Sequence, residues 1–393
     1  MSASLEDELR GELDELAANG ALKVLRQIDS PQGPLVRFAD GTSAICLCSN
    51  DYLGLANDPA VVAAAAAGLE KYGAGTASVR FICGLFTPHL KLERDLAEFL
   101  GMDAAISYTS CWNANQGLLD ALSGKRTFIL SDELNHASII DGIRLARPGG
   151  KAVYAHSDLA ALEEKLGTVP DGVRCLIVTD GVFSMEGDLA PLPGICDLAE
   201  AHGATVIVDD SHGLGVLGPT GRGTAEYYGV MDRVDVITGT LGKALGGASG
   251  GFVAGGRALC DLLEQRSRGQ LFSNGLPQSV ASGARAALGV LRDDPSRLAR
   301  LHENVARFRA GVTEVGLEPL EGESAIVPII VGETRDAIAM SERLLEEGVF
   351  AIGFGFPVVP EGAARVRVQL SAALTAEQVD EAVAAFARVA AQT

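Results

Sequence analysis

The sequence predicts an α/β fold: a large domain on a mainly parallel sheet, followed by a smaller α+β domain. Three observations carry this. From about residue 58 to about residue 285, short and nearly continuous apolar runs alternate with helical segments, the pattern of central strands covered by helices on both faces. After about residue 290 the character changes to a charged amphipathic helix and separated strand-like segments. Polar residues also cluster directly after the apolar runs, where ligands bind in open parallel sheets.

Taken in order, Leu5, Leu9, Leu13 and Leu16 recur at helical spacing among acidic residues, predicting an amphipathic helix that ends at Asn19-Gly20. Residues 35–38 and 44–47 read as short strands flanking a turn at Asp40-Gly41, so residues 1–57 form an N-terminal helix and short strands. Residues 58–289 form the large domain, opening on an alanine-rich helix around 63–67. Its expected strands are 104–106, 127–130, 175–178, 206–208 and 236–238, with a helix over 192–201. Residues 290–393 form the small domain, with a helix over 297–315 and strands at 325–331, 349–354 and 365–370. Thr375 and Gln378 make a capping-box pattern for a last helix.

Composition narrows the function. A net charge of −19 argues against nucleic acid, which needs clustered Lys and Arg, but a locally positive pocket can still take a small anion. The seven cysteines are scattered without zinc-site spacing, and no disulfide framework is expected; Cys46 and Cys48 read as small hydrophobes in a strand. The first residues lack the pattern of a signal peptide. The apolar stretch 60–69 is shorter than the ~20 residues of a membrane span, so a cytoplasmic protein is predicted.

Four segments carry chemistry. Asp209-Asp210-Ser211-His212 follows a strand, where a carboxylate can hold a pyridinium nitrogen protonated and so make a pyridoxal ring an electron sink. The same segment equally reads as a helix-capping turn. Thr238–Gly247 places Lys243 among small residues after another strand. That setting suits a Schiff-base lysine, whose amine is freed by desolvation, with Thr240 beside a phosphate; a surface turn is the plain alternative. Ser107–Asn113 offers Ser110, Cys111 and backbone N–H groups at a strand-to-helix junction, with the single tryptophan, Trp112, either covering a ligand or lying in the core. In Ser131–Ser138, His136 either stacks on a planar cofactor or is a hydrogen-bonded structural residue.

Gly213–Gly218 matches the letters of a dinucleotide fingerprint, yet Asp209–His212 separate it from the strand and loop, not helix, follows it. The context the motif needs is missing.

With these segments together, the chain resembles the α-oxoamine synthases, pyridoxal-phosphate enzymes of the aspartate-aminotransferase-like fold (fold type I) with a seven-stranded sheet. The resemblance runs from Ser49–Leu55 to Arg365–Ser371. Ser78–Gly84, Leu134–Gly142, Thr179–Glu186 and Thr238–Gly251 are its most specific stretches. They match the acetyltransferase subgroup better than the alanine-using one. The resemblance implies that Lys243 carries pyridoxal 5'-phosphate, Asp209 holds the ring nitrogen, His212 the ring oxygen, and His136 stacks above. Ser110, Cys111, Trp112 and Thr240 would surround the phosphate end, with Ser184 beside the ring. Arg367 would clamp the substrate carboxylate, assisted by Asn50, with Arg80 and His89 also toward substrate. Family members are homodimers with shared sites, so Phe272, Ser273 and Asn274 would serve the partner's site.

The implied reaction condenses a small amino acid with a short-chain acyl-CoA. Lys243 removes the α-proton, the α-carbon attacks the thioester, and CoA leaves. Decarboxylation follows on the enzyme or afterwards. An aminotransferase or aldolase on the same fold is a rival reading, as is a non-catalytic subunit, although the retained Lys243, Asp209, His212 and His136 disfavour the latter. Three stretches depart from the subgroup: Leu85–His89, Trp112 and Gly353–Phe356. They predict an amino acid, acyl chain or both other than glycine and acetyl, with alanine, serine or glutamate as alternatives.

Overall fold

The computed structural model describes residues 3–18 and 22–391, so Asn19-Gly20, the expected end of the first helix, lie outside the described residues. That helix spans Ala3–Ala18, and its leucine face is uncovered: Leu5, Leu9, Leu13 and Leu16 are each at least 40% exposed. Two short strands follow, β1 (Leu35–Arg37) and β2 (Ser43–Cys46), antiparallel with Val36 opposite Ala44.

The large sheet contains β3 (Ala104–Tyr108), β4 (Thr127–Asp132), β5 (Gly150–Tyr154), β6 (Arg174–Asp180), β7 (Thr205–Asp209), β8 (Val236–Thr240) and β9 (Gly251–Gly255), in the order β3-β9-β8-β7-β6-β4-β5. Only β9 runs against the rest. Buried Ile177, Val208, Ile237 and Phe252 fill its faces, each such side chain stabilising by roughly 1.5–3 kcal/mol. Two strands escape the sequence reading. β5 is an edge strand whose residues alternate toward solvent, so it carries no apolar run, and β9 is a three-residue apolar run between glycines.

The helix Pro59–Tyr72 starts on an Asp58 cap with proline in its first turn and packs along Gln278–Asp293. The approach is close enough that a Cβ at Gly68 would meet Ser282 Oγ at 2.6 Å. Among the described residues no helix is long and apolar enough to cross a membrane.

The C-terminal part has β10 (Ile326–Gly332), β11 (Val349–Phe350), β12 (Ile352–Phe354) and β13 (Ala364–Gln369). β10, β13 and β12 form an antiparallel sheet. The single strand expected over 349–354 is divided in two at the buried Ala351. There the chain passes from β11, which pairs with β2, to β12, which pairs with β13. Helices Ser296–Glu314 and Ala376–Ala390 cover this part, with Phe308 edge-on to Phe386 at 5.5 Å. The Thr375–Gln378 capping box is formed.

Candidate active site

Because the parallel strands share one direction, β4, β6, β7 and β8 all deliver their following residues to the same edge of the sheet, and β3 does likewise. Asp209 ends β7, Asp180 ends β6, and Lys243 follows β8 by three residues.

Asp209 is buried and held by several donors. Asn115 Nδ2 lies 2.6 Å from its Oδ2, the Ser211 N–H 3.0 Å from its Oδ1, and the Cys111 thiol 3.6 Å away. Asn115 is fixed in turn by Thr238 Oγ1 at 2.8 Å and Ser138 Oγ at 2.9 Å. His212 is buried too, and burial together with the charges of Lys243 and Arg367 holds its ring well below its usual pKa. The Tyr52 hydroxyl, 2.7 Å from His212 Nδ1, sets the ring's orientation.

Lys243 makes no hydrogen bond or ion pair with the described residues. Burial lowers its pKa to about 8, against the opposing charge of Asp209. Its loop is stabilised by Thr240, whose Oγ1 accepts from the Gly242 N–H at 3.0 Å and donates to the Gly250 carbonyl at 3.2 Å.

Ser110 caps the helix Cys111–Leu122 through the Asn113 N–H, at 3.1 Å. The Cys111 and Trp112 N–H groups, in the first helical turn, have no intrahelical acceptor and point an anion-binding end toward the site. The loop can sit there because residue 251 is glycine: a Cβ would overlap the Cys111 amide nitrogen. Trp112 stands edge-on to His136, ring centroids 6.1 Å apart, and His136 opens the next helix after its N–H bonds Asp180 Oδ2 at 2.8 Å.

Arg367, on β13, is buried beneath Phe354, whose ring centroid lies 5.1 Å from its guanidinium carbon. It donates to the Ser184 carbonyl at 2.8 Å, and Gln369 Oε1 accepts from its Nε at 2.9 Å. Asn50 lies close by, its Oδ1 accepting from the Tyr52 hydroxyl at 3.3 Å. Burial disfavours the guanidinium charge, so an anion is the natural complement.

One cluster at the sheet edge thus gathers an unpaired amine, a hydrogen-bonded carboxylate, a helix N-terminus and a buried arginine. That donor set fits pyridoxal phosphate, by amine to aldehyde, carboxylate to ring nitrogen and N–H groups to phosphate. The sequence pattern of the aminotransferase class I and II family matches residues 42–386. The chain belongs to that family. It is 46% identical over 394 residues to the 2-amino-3-ketobutyrate coenzyme A ligase of Escherichia coli K12, covering all of this chain and 99% of the relative. The mitochondrial 2-amino-3-ketobutyrate coenzyme A ligase of Homo sapiens is 47% identical, over 98% of this chain and 92% of that one. An 8-amino-7-oxononanoate synthase of Symbiobacterium thermophilum is 47% identical, over 98% of each chain. A solved structure of SPT with the PLP internal aldimine superposes with a TM-score of 0.92 at 30% identity, covering 99% of this chain and 98% of its own. The likeness to α-oxoamine synthases drawn from the motifs therefore extends over the whole chain, and the chain is a member of that group.

Not every expected residue joins the cluster. Arg80 is taken up by Glu93, with contacts of 2.7 and 3.1 Å, and His89 Nε2 lies 2.6 Å from the Leu276 carbonyl oxygen. Both have partners inside this chain and no contact with Lys243 or Arg367. Ser273 is half-buried beside Phe272, which is 70% exposed, and touches none of the cluster. Conversely, Tyr52, Asn115 and Asp180 were not expected at the site. Asn115 lies within a helix with no local motif around it. Asp180 could have been found, because it ends an apolar run as Asp209 does.

Proposed function

We propose that this chain is a pyridoxal-phosphate-dependent acyltransferase that joins glycine to acetyl-CoA and releases CoA, the activity carried in the names of its ligase relatives. The observation that carries this reading is the placement of an amine of lowered pKa, Lys243, in one cluster with Asp209 and the buried Arg367. Bound pyridoxal phosphate supplies an electron sink conjugated with the amino acid's α-carbon. Asp209 would hold the proton on its ring nitrogen, and His136 would lie against its ring face. Arg367 fixes the substrate carboxylate by its guanidinium fork. Lys243 Nζ takes the α-proton as general base. The α-carbon then bonds to the thioester carbonyl carbon, the C–S bond breaks, and CoA leaves as the thiol.

Two of the three departing stretches reach the site, with Phe354 over Arg367 and Trp112 beside His136, but the full-length likeness to the ligases favours glycine over the different substrate those departures suggest. Of the three departing stretches, Leu85–His89 packs into its own chain, Phe86 lying edge-on to Tyr72 and His89. We also propose a homodimer, supported by the uncovered leucines of the first helix and the exposed Phe272. Ser273 then serves the partner's site. Thiol release from acetyl-CoA, measured with glycine, alanine, serine, threonine and glutamate, tests the reaction. Glycine should dominate, whereas a stronger signal with alanine or glutamate would reject glycine as the substrate.

A further inference from the structure

Two residues past the end of the edge strand β5, His156 bridges two carboxylates. Its Nδ1 lies 3.0 Å from Asp132 Oδ1 and its Nε2 2.8 Å from Asp188 Oδ2. A neutral imidazole has one N–H and one lone pair, so only the imidazolium can donate to both. Phe183 closes one side edge-on, with ring centroids 4.3 Å apart. Burial opposes the charge, but the hydrogen bonds and charges of Asp132 and Asp188 outweigh it and raise the pKa to about 10.

The two carboxylates belong to two loops that serve the site. Asp132 ends β4 and also accepts the Leu134 N–H at 2.9 Å and the Ser157 N–H at 2.8 Å. Glu133 Oε1 accepts the His156 N–H at 2.9 Å, so the chain leading to His136 is tied down at successive residues. Asp188 closes a tight turn, its carbonyl accepting the Phe183 N–H at 3.0 Å, with Val182 bridged to Leu189 behind it. That turn carries the Ser184 carbonyl, which holds Arg367 at 2.8 Å.

We propose that His156 is a positioning residue for the condensation: donating from both ring nitrogens, it locks the His136 loop to the Ser184 turn and so fixes the cofactor face relative to the carboxylate clamp. The proposal rests on the reading of Arg367 as that clamp. Without a cation between them, Asp132 and Asp188 would repel, and the turn would lose its only side-chain tie to the His136 loop among the described contacts of His156. The other titratable groups around the bridge are Glu133, Asp180, Glu186, Tyr154 and Tyr228, with Arg365 paired to Glu186 at 3.3 Å.

The test uses the holoenzyme and two variants, His156→Gln, which keeps a donor without charge, and Asp188→Asn, which removes one carboxylate charge. Steady-state kinetics should show the KM for glycine rising about 10-fold, as loss of substrate binding at the clamp would give. The KM for acetyl-CoA and kcat should change far less. Histidine-selective NMR of the wild-type enzyme should place the His156 titration near pH 10. An ordinary titration near pH ~6.5 would overturn the proposal. So would variants that lose thermal stability with no change in the glycine KM. A wild-type enzyme with no glycine-dependent turnover would defeat the proposed reaction instead, and the NMR titration would then decide on the bridge by itself.

Discussion

Asp180 and Asp209 stand opposite each other as register partners at the carboxyl ends of adjacent parallel strands. Burial, reinforced by the Asp209 charge, pushes the Asp180 carboxyl well above the usual carboxylate range. Asp209 is met by the Asn115 amide and the Ser211 N–H, donors suited to a carboxylate. Asp180 instead accepts one N–H, from His136. Two side chains of the same type thus divide the work: Asp209 gathers hydrogen-bond donors at the site, and Asp180, whose charged form burial disfavours, anchors the His136 loop.

Asn115 is the support on which that division depends. Asn115→Ala removes the 2.6 Å contact to Asp209 and leaves Thr238 Oγ1 without its acceptor in a buried site. Unfolding stability should fall by about 1–3 kcal/mol, the cost of orphaned buried polar groups. Denaturant melts of the apoenzyme would measure this.

The pH dependence of cofactor attachment follows from Lys243. Burial favours the neutral amine and brings its pKa down to about 8, so the reactive form accumulates as pH rises through that value. When apoenzyme is mixed with pyridoxal phosphate, the rate of the absorbance change should rise with pH and level off above about 8. An unperturbed lysine would keep gaining rate toward ~10.4.

Arg367→Lys keeps the charge but loses the planar fork and its lateral contact to Gln369. The expected loss is about 2 kcal/mol, a roughly 30-fold rise in the KM for glycine, with the KM for acetyl-CoA unaffected. Kinetics varying each substrate in turn would resolve the two constants.

Gly251→Ala places a methyl against the Cys111 amide and displaces the helix end proposed to hold the phosphate. Overpacking of this kind costs about 2 kcal/mol and should weaken cofactor affinity roughly 30-fold. Fluorescence titration with pyridoxal phosphate, using the nearby Trp112, would report it.

The strands that lead to Asp209 and Lys243 were legible because central strands of a parallel sheet are apolar along most of their length, so the polar residues that follow stand out. β5 was not legible, since an edge strand such as Gly150–Tyr154 alternates toward solvent. The division of 349–354 was hidden because both halves are apolar, and only the partners β2 and β13 distinguish them. The same limit applies within the site. Lys243, His136 and Arg367 sit in recognisable stretches, whereas the Tyr52 contact to His212 and the Asn115 contact to Asp209 join residues 160 and 94 positions apart. Arg80 shows the converse: it lies in a specific motif, yet its guanidinium is taken up by Glu93.

The central claim is that Lys243 moves the α-proton of glycine. The most direct measurement is exchange of glycine α-hydrogen into deuterated solvent, followed by proton NMR on the pyridoxal-phosphate-loaded enzyme without acyl-CoA. The wild-type enzyme should exchange one α-hydrogen, and Lys243→Ala should slow exchange by about 10²–10⁴-fold, the usual contribution of a positioned base. Exchange at the wild-type rate in Lys243→Ala would contradict the account.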